Sequence, residues 1–199
     1  MKKPGKSGRS AIFCDKDGTL LQDVPYNVAP RLMAYAPGAR RGLCKLATWR
    51  LPLVVISNQP GVALGRFAEA DLDGMRAQLA RMVQACGASL DGFYYCPHAA
   101  ETAVDGNCAC RKPKPGLLLQ AAAELELDLA SSWMIGDILN DVEAGARAGC
   151  RTVLIDNGNE TEWLRGPSRW PDIVVHDFGQ AIDAIGATLA RERQDRRLA

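Results

Sequence analysis

The chain is short of the features that would take it into a membrane, onto nucleic acid or out of the cell. No apolar run approaches the roughly 20 residues of a membrane-spanning helix. The 24 basic and 23 acidic residues leave a formal net charge of +1, too little to draw the chain to a phosphate backbone or an anionic lipid surface. Neither nucleic acid nor membrane is therefore expected as a partner. The basic opening MKKPGKSGRS has no apolar stretch behind it, so it reads as a disordered lead-in (residues 1–9) and not as a signal peptide. Seven cysteines is an odd count and gives no secreted disulfide framework; a reducing cytoplasm is the expected compartment. Histidine is scarce, with only His98 and His176. No internal repeat or low-complexity linker divides the 199 residues. One domain over residues 10–192 is expected, with 193–199 as a tail and the whole as a monomer.

What is present is a rhythm. Short apolar runs at residues 11–14, 53–56, 93–95, 133–135 and 152–155, with a weaker one at 172–175, read as strands. Most are continuous and not alternating, as in a sheet covered on both faces. Between them, helical periodicity covers residues 39–49, 68–86, 115–127, 141–148 and 180–193. Pro115 suits a first helical turn and Gly149 a helix end. Repeated β-α units predict an α/β fold, a three-layer Rossmann-like sandwich with a mostly parallel sheet.

In such a sheet the ligand site lies beyond the carboxyl ends of the strands. The polar residues that follow the strands should then converge. Asp15 and Asp17 follow the first strand, in FCDKDGTL; Ser57 and Asn58 end the second; Arg111 and Lys112 lie after the third; Asp137 follows the fourth. Two carboxylates so close demand a cation, and Lys112 and a bound metal can supply it. Asp15 has the setting of a nucleophile able to take a phosphoryl group. Asp17 is placed to give a proton to the leaving oxygen and take one from water. Ser57 (hydroxyl), Asn58 (backbone N–H), Arg111 and Lys112 are candidate substrate contacts, and Asp15, Asp17 and Asp137 candidate Mg²⁺ ligands. Asp141, four residues past Asp137, can hold Lys112 or a metal-bound water.

A second constellation is C-x-H…C-x-C: Cys96, His98, Cys108 and Cys110, with nine residues between the halves. Three thiolates and an imidazole close a four-ligand set, the structural type of Zn²⁺ site. It would staple a loop poor in core residues and hold the adjoining Lys112.

DKDGT, VVISN, the lysine of CRKP and IGDILND resemble, in order, the four motifs of the haloacid-dehalogenase-like (HAD) phosphatase superfamily. The resemblance implies a Mg²⁺-dependent phosphatase, with Asp15 as nucleophile, Asp17 as general acid and base, Ser57 and Lys112 as phosphate binders and Asp137 as the metal carboxylate. The stretch from Leu20 to Ala36 is too short for a cap domain, so a capless enzyme with a zinc-stapled loop is expected. CPH…CxCRKP narrows the likeness to a subgroup acting on heptose bisphosphate or histidinol phosphate. The former substrate, a step toward surface polysaccharide, is the reading adopted. Three positions depart from the subgroup: Lys16 and Leu64 stand where Arg is usual, and Ile138 where Lys is frequent. Tyr26, Asn27 and Arg66 are candidate rim contacts. A phospho-accepting signalling module is the rival of another class; Asp17, which would hasten dephosphorylation, and the cysteine loop argue against it.

Overall fold

The computed structural model describes residues 8–100 and 108–198; residues 1–7 of the expected lead-in and most of the loop between His98 and Cys108 lie outside them, whereas Arg9, also expected in the lead-in, bridges to Leu127. The strands are β1 (Ile12–Cys14), β2 (Leu53–Asn58), β3 (Leu90–Cys96), β4 (Trp133–Gly136), β5 (Arg151–Ile155) and β6 (Ile173–Val175). The helices are α1 (Ala39–Ala47), α2 (Asp71–Ala85), α3 (Gly116–Glu124), α4 (Leu139–Ala148) and α5 (Phe178–Leu198). Every expected element is present, with shifted ends.

The apolar runs are continuous because each strand feeds two cores. Successive side chains of a strand point to opposite faces. Ile12 and Cys14 of β1, with Val55, Ile135 and Val153, pack against Leu43 and Leu46 of α1, Leu79 and Val83 of α2, and Phe178 and Ile182 of α5. Phe13, with Val54, Ile56 and Met134, packs on the other side against Leu117, Leu118 and Ala121 of α3 and Ala144 of α4. Each fully buried side chain of this size contributes about 1.5–3 kcal/mol. Two helical layers and a sheet make the three-layer sandwich.

All five strand pairings are parallel, and the strand order is β3-β2-β1-β4-β5-β6. The chain winds outward from β1 to β3, then returns to the far side of β1 for β4. After β1 the chain enters α1 on one face; after β4 it enters α4 on the other. The segments leaving these adjacent strands diverge, and a crevice opens at their carboxyl ends. Between β1 and α1 the chain forms only a short 3₁₀ turn at Pro30–Leu32 and isolated bridges joining Leu21 to Asp17 and Tyr35, so no cap domain is inserted there.

One element differs from the sequence reading in extent. The last helix does not stop at Arg193 but runs to Leu198, taking in residues expected as a tail. Apolar periodicity fades there, but Arg, Glu and Gln are good helix formers without a core to face. The connection from β5 to β6, residues 156–172, contains no helix and leaves from the carboxyl edge of the sheet.

Candidate active site

Asp15 follows β1 directly, and its N–H donates to the Ile135 carbonyl of β4 at 2.9 Å, which ties the carboxylate to the crevice. Lys112 supplies the cation that the paired acids demand. Its ammonium donates to Asp15 Oδ1 and to the Ile56 carbonyl at 2.8 Å, and ion-pairs with Asp141 Oδ1 at 2.6 Å. Lys112 and Asp141 are buried. Burial alone would strip the lysine proton; Asp141 and Asp15 outweigh it and hold the ammonium well above its usual range. The Asn58 side chain clamps the Lys112 backbone from both sides, accepting from its N–H at 3.0 Å and donating to its carbonyl at 3.2 Å. The Asn58 amide thus places the lysine.

Asp17 has its own cation. Lys16, whose side chain is 1% exposed, stands 2.9 Å from Asp17 Oδ1. Gln59 Nε2 reaches Asp17 Oδ2 at 3.5 Å and Ser57 Oγ at 2.8 Å, joining the two positions. Burial raises the Asp17 carboxyl to about 6, against the opposing pull of Lys16. Sequence reasoning passed over Gln59, and nothing in the motif spacing alone shows where the Lys16 or Gln59 side chain ends.

Asp137 completes the acidic face. Asp15, Asp137 and Asp141 bring carboxylate oxygens within 4.8 Å of one another, all buried. Burial first, and then the charges of Asp15 and Asp141, push Asp137 up to about 8. Burial likewise raises Asp141 to about 6 although Lys112 opposes it. Hard carboxylate oxygens with excess negative charge fit a Mg²⁺ ion. The Asp17 carboxylate stands outside this set, held by Lys16. Gly18, at φ 78°, is required here: a Cβ on it would come within 2.0 Å of Asp137 Oδ2.

The β5–β6 connection reaches into the same site, which sequence reasoning missed. Asn159 Nδ2 donates to Asp137 Oδ2 at 2.7 Å, Asn157 Nδ2 to the Gly18 carbonyl at 2.9 Å, and Glu160 accepts from the Leu139 N–H at 2.6 Å. The signal was available, because DNGNE follows a strand just as the other motifs do. Asp15, Asp17, Asp137 and Lys112 line one cleft together with Asn58, Asp23, Ile138 and Asn159.

Beside it, Cys96, His98, Cys108 and Cys110 gather their donor atoms within 4.8 Å. His98 Nδ1 lies 3.4 Å from both Cys96 Sγ and Cys110 Sγ, and Cys96 Sγ lies 3.6 Å from Cys108 Sγ. A tetrahedral zinc site would have S···N edges of about 3.6 Å and S···S edges of about 3.8 Å, given metal bonds of about 2.3 and 2.0–2.1 Å. The set fits that ion, and the sulfur separation is far from a disulfide's. Arg111 Nη1 donates to the His98 carbonyl at 3.1 Å and Lys114 Nζ to the Cys108 carbonyl at 2.8 Å, so the cluster and the arm bearing Lys112 brace each other. At the rim, the Arg66 guanidinium lies 5.6 Å from the Tyr26 ring centre, whereas Asn27 Oδ1 accepts from the nearby Ala29 N–H within its own turn.

This is the fold and the arrangement of a HAD-type phosphatase, and comparison with known proteins agrees. A family profile described as HAD-hydrolase-like matches residues 109–181. The D-glycero-beta-D-manno-heptose-1,7-bisphosphate 7-phosphatase of Escherichia coli (strain K12) is 35% identical over 177 residues, covering 86% of this chain and 93% of that protein. The Pasteurella multocida (strain Pm70) protein of the same name is 39% identical over 153 residues, covering 75% and 83%. Among solved structures, the D,D-heptose 1,7-bisphosphate phosphatase of B. bronchiseptica, complexed with magnesium and phosphate, superposes with a TM-score of 0.77 at 29% identity, over 90% of this chain and 99% of that one. The chain belongs to the HAD-like hydrolase family and is a phosphatase of that family.

Proposed function

We propose that the protein is a Mg²⁺-dependent phosphomonoesterase that removes the 7-phosphate of D-glycero-D-manno-heptose 1,7-bisphosphate. The observation that carries the reaction is the Asp15 carboxylate at the floor of the cleft, steadied by Lys112 and flanked by Asp17 and Asp137. The names of its relatives support the substrate.

The reaction runs in two displacements. An Asp15 oxygen attacks phosphorus as the bond from phosphorus to the sugar oxygen breaks, and Asp17 passes its proton to that departing oxygen. Asp17, now a carboxylate, takes a proton from water. The resulting hydroxide attacks the acyl phosphate, inorganic phosphate leaves and Asp15 is regenerated. A carboxyl with a pKa of about 6 suits both duties near neutrality. Lys112 and the Ser57 hydroxyl, with the Asn58 N–H, hold the phosphoryl oxygens. Asp15 and Asp137 would hold the Mg²⁺ ion, which neutralises charge on the transferring group; the contribution of Asp17 to it falls to its main-chain carbonyl, since its carboxylate is paired with Lys16. Zn²⁺ held by Cys96, His98, Cys108 and Cys110 would have every position filled by protein, and its work would be to hold the segment that carries Arg111 and Lys112. Arg111, Tyr26 and Arg66 are the candidate contacts for the rest of the sugar.

We place the enzyme in the cytoplasm as a monomer, serving heptose supply for surface polysaccharide. Among the described residues no helix is long and apolar enough to cross a membrane. The test is phosphate release from the heptose bisphosphate, followed by phosphorus NMR to identify which ester is cut, beside histidinol phosphate under the same conditions. Loss of the 7-phosphate at the higher kcat/KM is the expected result. Faster turnover of histidinol phosphate would overturn the substrate while leaving the reaction standing.

A further inference from the structure

Three side chains of the exposed β5–β6 connection enter the catalytic edge, each onto a different part of it. Asn157 Nδ2 holds the Gly18 carbonyl at 2.9 Å, Glu160 Oε2 takes the Leu139 N–H at the start of α4 at 2.6 Å, and between them Asn159 Nδ2 holds Asp137 Oδ2 at 2.7 Å. Asn157 and Asn159 are ordered against one another, since the Asn159 N–H donates to Asn157 Oδ1 at 3.1 Å. Ionised, as a metal ligand must be, Asp137 offers no donor, and the Asn159 amide can then face it only with its NH₂ group. Its other holder, Thr19 Oγ1, sits at 3.3 Å from Oδ1, a longer contact. Space for the pair exists because position 18 is glycine: a Cβ there would come within 2.5 Å of Asn159 Nδ2 as well as striking Asp137.

We propose that Asn159 is a positioning residue for metal binding, fixing the plane of the Asp137 carboxylate, with Asn157 anchoring it to the turn that follows Asp17. The terminal torsion of an aspartate is broad, so without a fixed donor the carboxylate can swing, and a cation then has to order it on binding. Outer partners of metal-ligating groups typically contribute 10–100-fold to metal affinity. The proposal rests on the reading that Mg²⁺ binds at Asp15 and Asp137. It adds a chain segment that the four motifs do not contain.

The experiment is a titration of the full-length protein with MgCl₂, read two ways: the thermal unfolding midpoint, which rises as a ligand of the folded state binds, and phosphate release. In Asn159→Ala the Mg²⁺ concentration giving half of each effect rises about 10–100-fold. At saturating Mg²⁺, kcat stays within about threefold of the wild type and KM for the phosphate ester is unchanged, the pattern of a lost metal contact and not of lost transition-state binding. Mg²⁺ dependence unchanged in a folded Asn159→Ala protein overturns the proposal. Should that variant fail to fold, Asn157→Ala, which keeps the donor and removes its anchor, decides in the same way, with a smaller rise in the same direction expected. A wild-type protein whose midpoint and activity both ignore Mg²⁺ overturns the metal reading and this inference together. An unmoved variant beside a responsive wild type overturns this inference alone.

Discussion

Two groups of metal-ligating side chains lie side by side in this fold, and they are built in opposite ways. The acidic group draws Asp15 from the end of β1 and Asp137 and Asp141 from beyond β4, with Lys112 arriving after β3. Its members meet only once the sheet has formed. The sulfur group comes from residues 96–110, a single excursion from the edge strand β3. Its members need little of the sheet, and the sequence between them is poor in core residues. One group therefore depends on the fold, while a piece of the fold depends on the other. The acidic group also faces a cleft, whereas four protein donors fill a tetrahedral ion completely. On the proposed function, exposure to the cleft is what would separate a site that reacts from one that braces.

Substitution should separate the two roles cleanly. Asp15→Asn removes the nucleophile and leaves Lys112 paired with Asp141. Turnover should fall on the order of 10⁴-fold or more, as when other covalent nucleophiles are removed. The thermal midpoint should hold or rise, because a charge leaves a crowded buried cluster. Phosphate release within about tenfold of the wild type would remove the covalent role of Asp15. Cys108→Ser should do the reverse. The protein as isolated should carry zinc by elemental analysis, and the variant should lose it. Its midpoint should drop by about 10 °C, the equivalent of roughly 3 kcal/mol in a chain of this size, while activity measured well below the midpoint stays within about tenfold because Lys112 is still held by Asn58. A native protein free of zinc, or a variant as stable as the wild type, would dissolve the contrast.

The same contrast explains what could be read from the sequence. The sulfur group was legible from spacing alone, because its ligands are local. The acidic group was legible because strands end where ligands bind, so Asp15, Asp17, Lys112 and Asp137 could be brought together without knowing the strand order. That argument places residues at an edge; it does not orient them. The pairing of Lys16 with Asp17 is not visible in motif spacing. Asn58 was expected to offer a backbone N–H to phosphate, and its side chain also turns out to clamp the Lys112 main chain. Asn157, Asn159 and Glu160 obey the strand-end rule after β5 but stand in no motif, so they were passed over. The ends of α5 escaped for another reason: surface polarity carries no period by which to mark a boundary.

The smallest expected effect concerns the uncompensated charge of the acidic group. Asp137 is raised to about 8 and Asp141 to about 6, in each case chiefly by burial. An unfolded aspartate titrates near 4, so both folded-state values lie above the unfolded one. For such a group the stabilising contribution is complete below about pH 4 and is lost as pH rises through the folded value. In magnesium-free buffer the midpoint should therefore fall between about pH 6 and pH 8, by a few degrees, as Asp137 loses a proton it holds more tightly folded than unfolded, the contribution of Asp141 having been lost at lower pH. Mg²⁺ in millimolar excess should flatten that slope by taking the place of the protons. A chelator must be left out, because it would also strip the sulfur group and merge the two effects. The sulfur group offers the internal control: Cys108→Ser should lower the whole curve and leave its slope with pH in place. A midpoint that rises with pH across this window without Mg²⁺ would mean that the acidic face is already neutralised from within, by Lys112 and Lys16 alone.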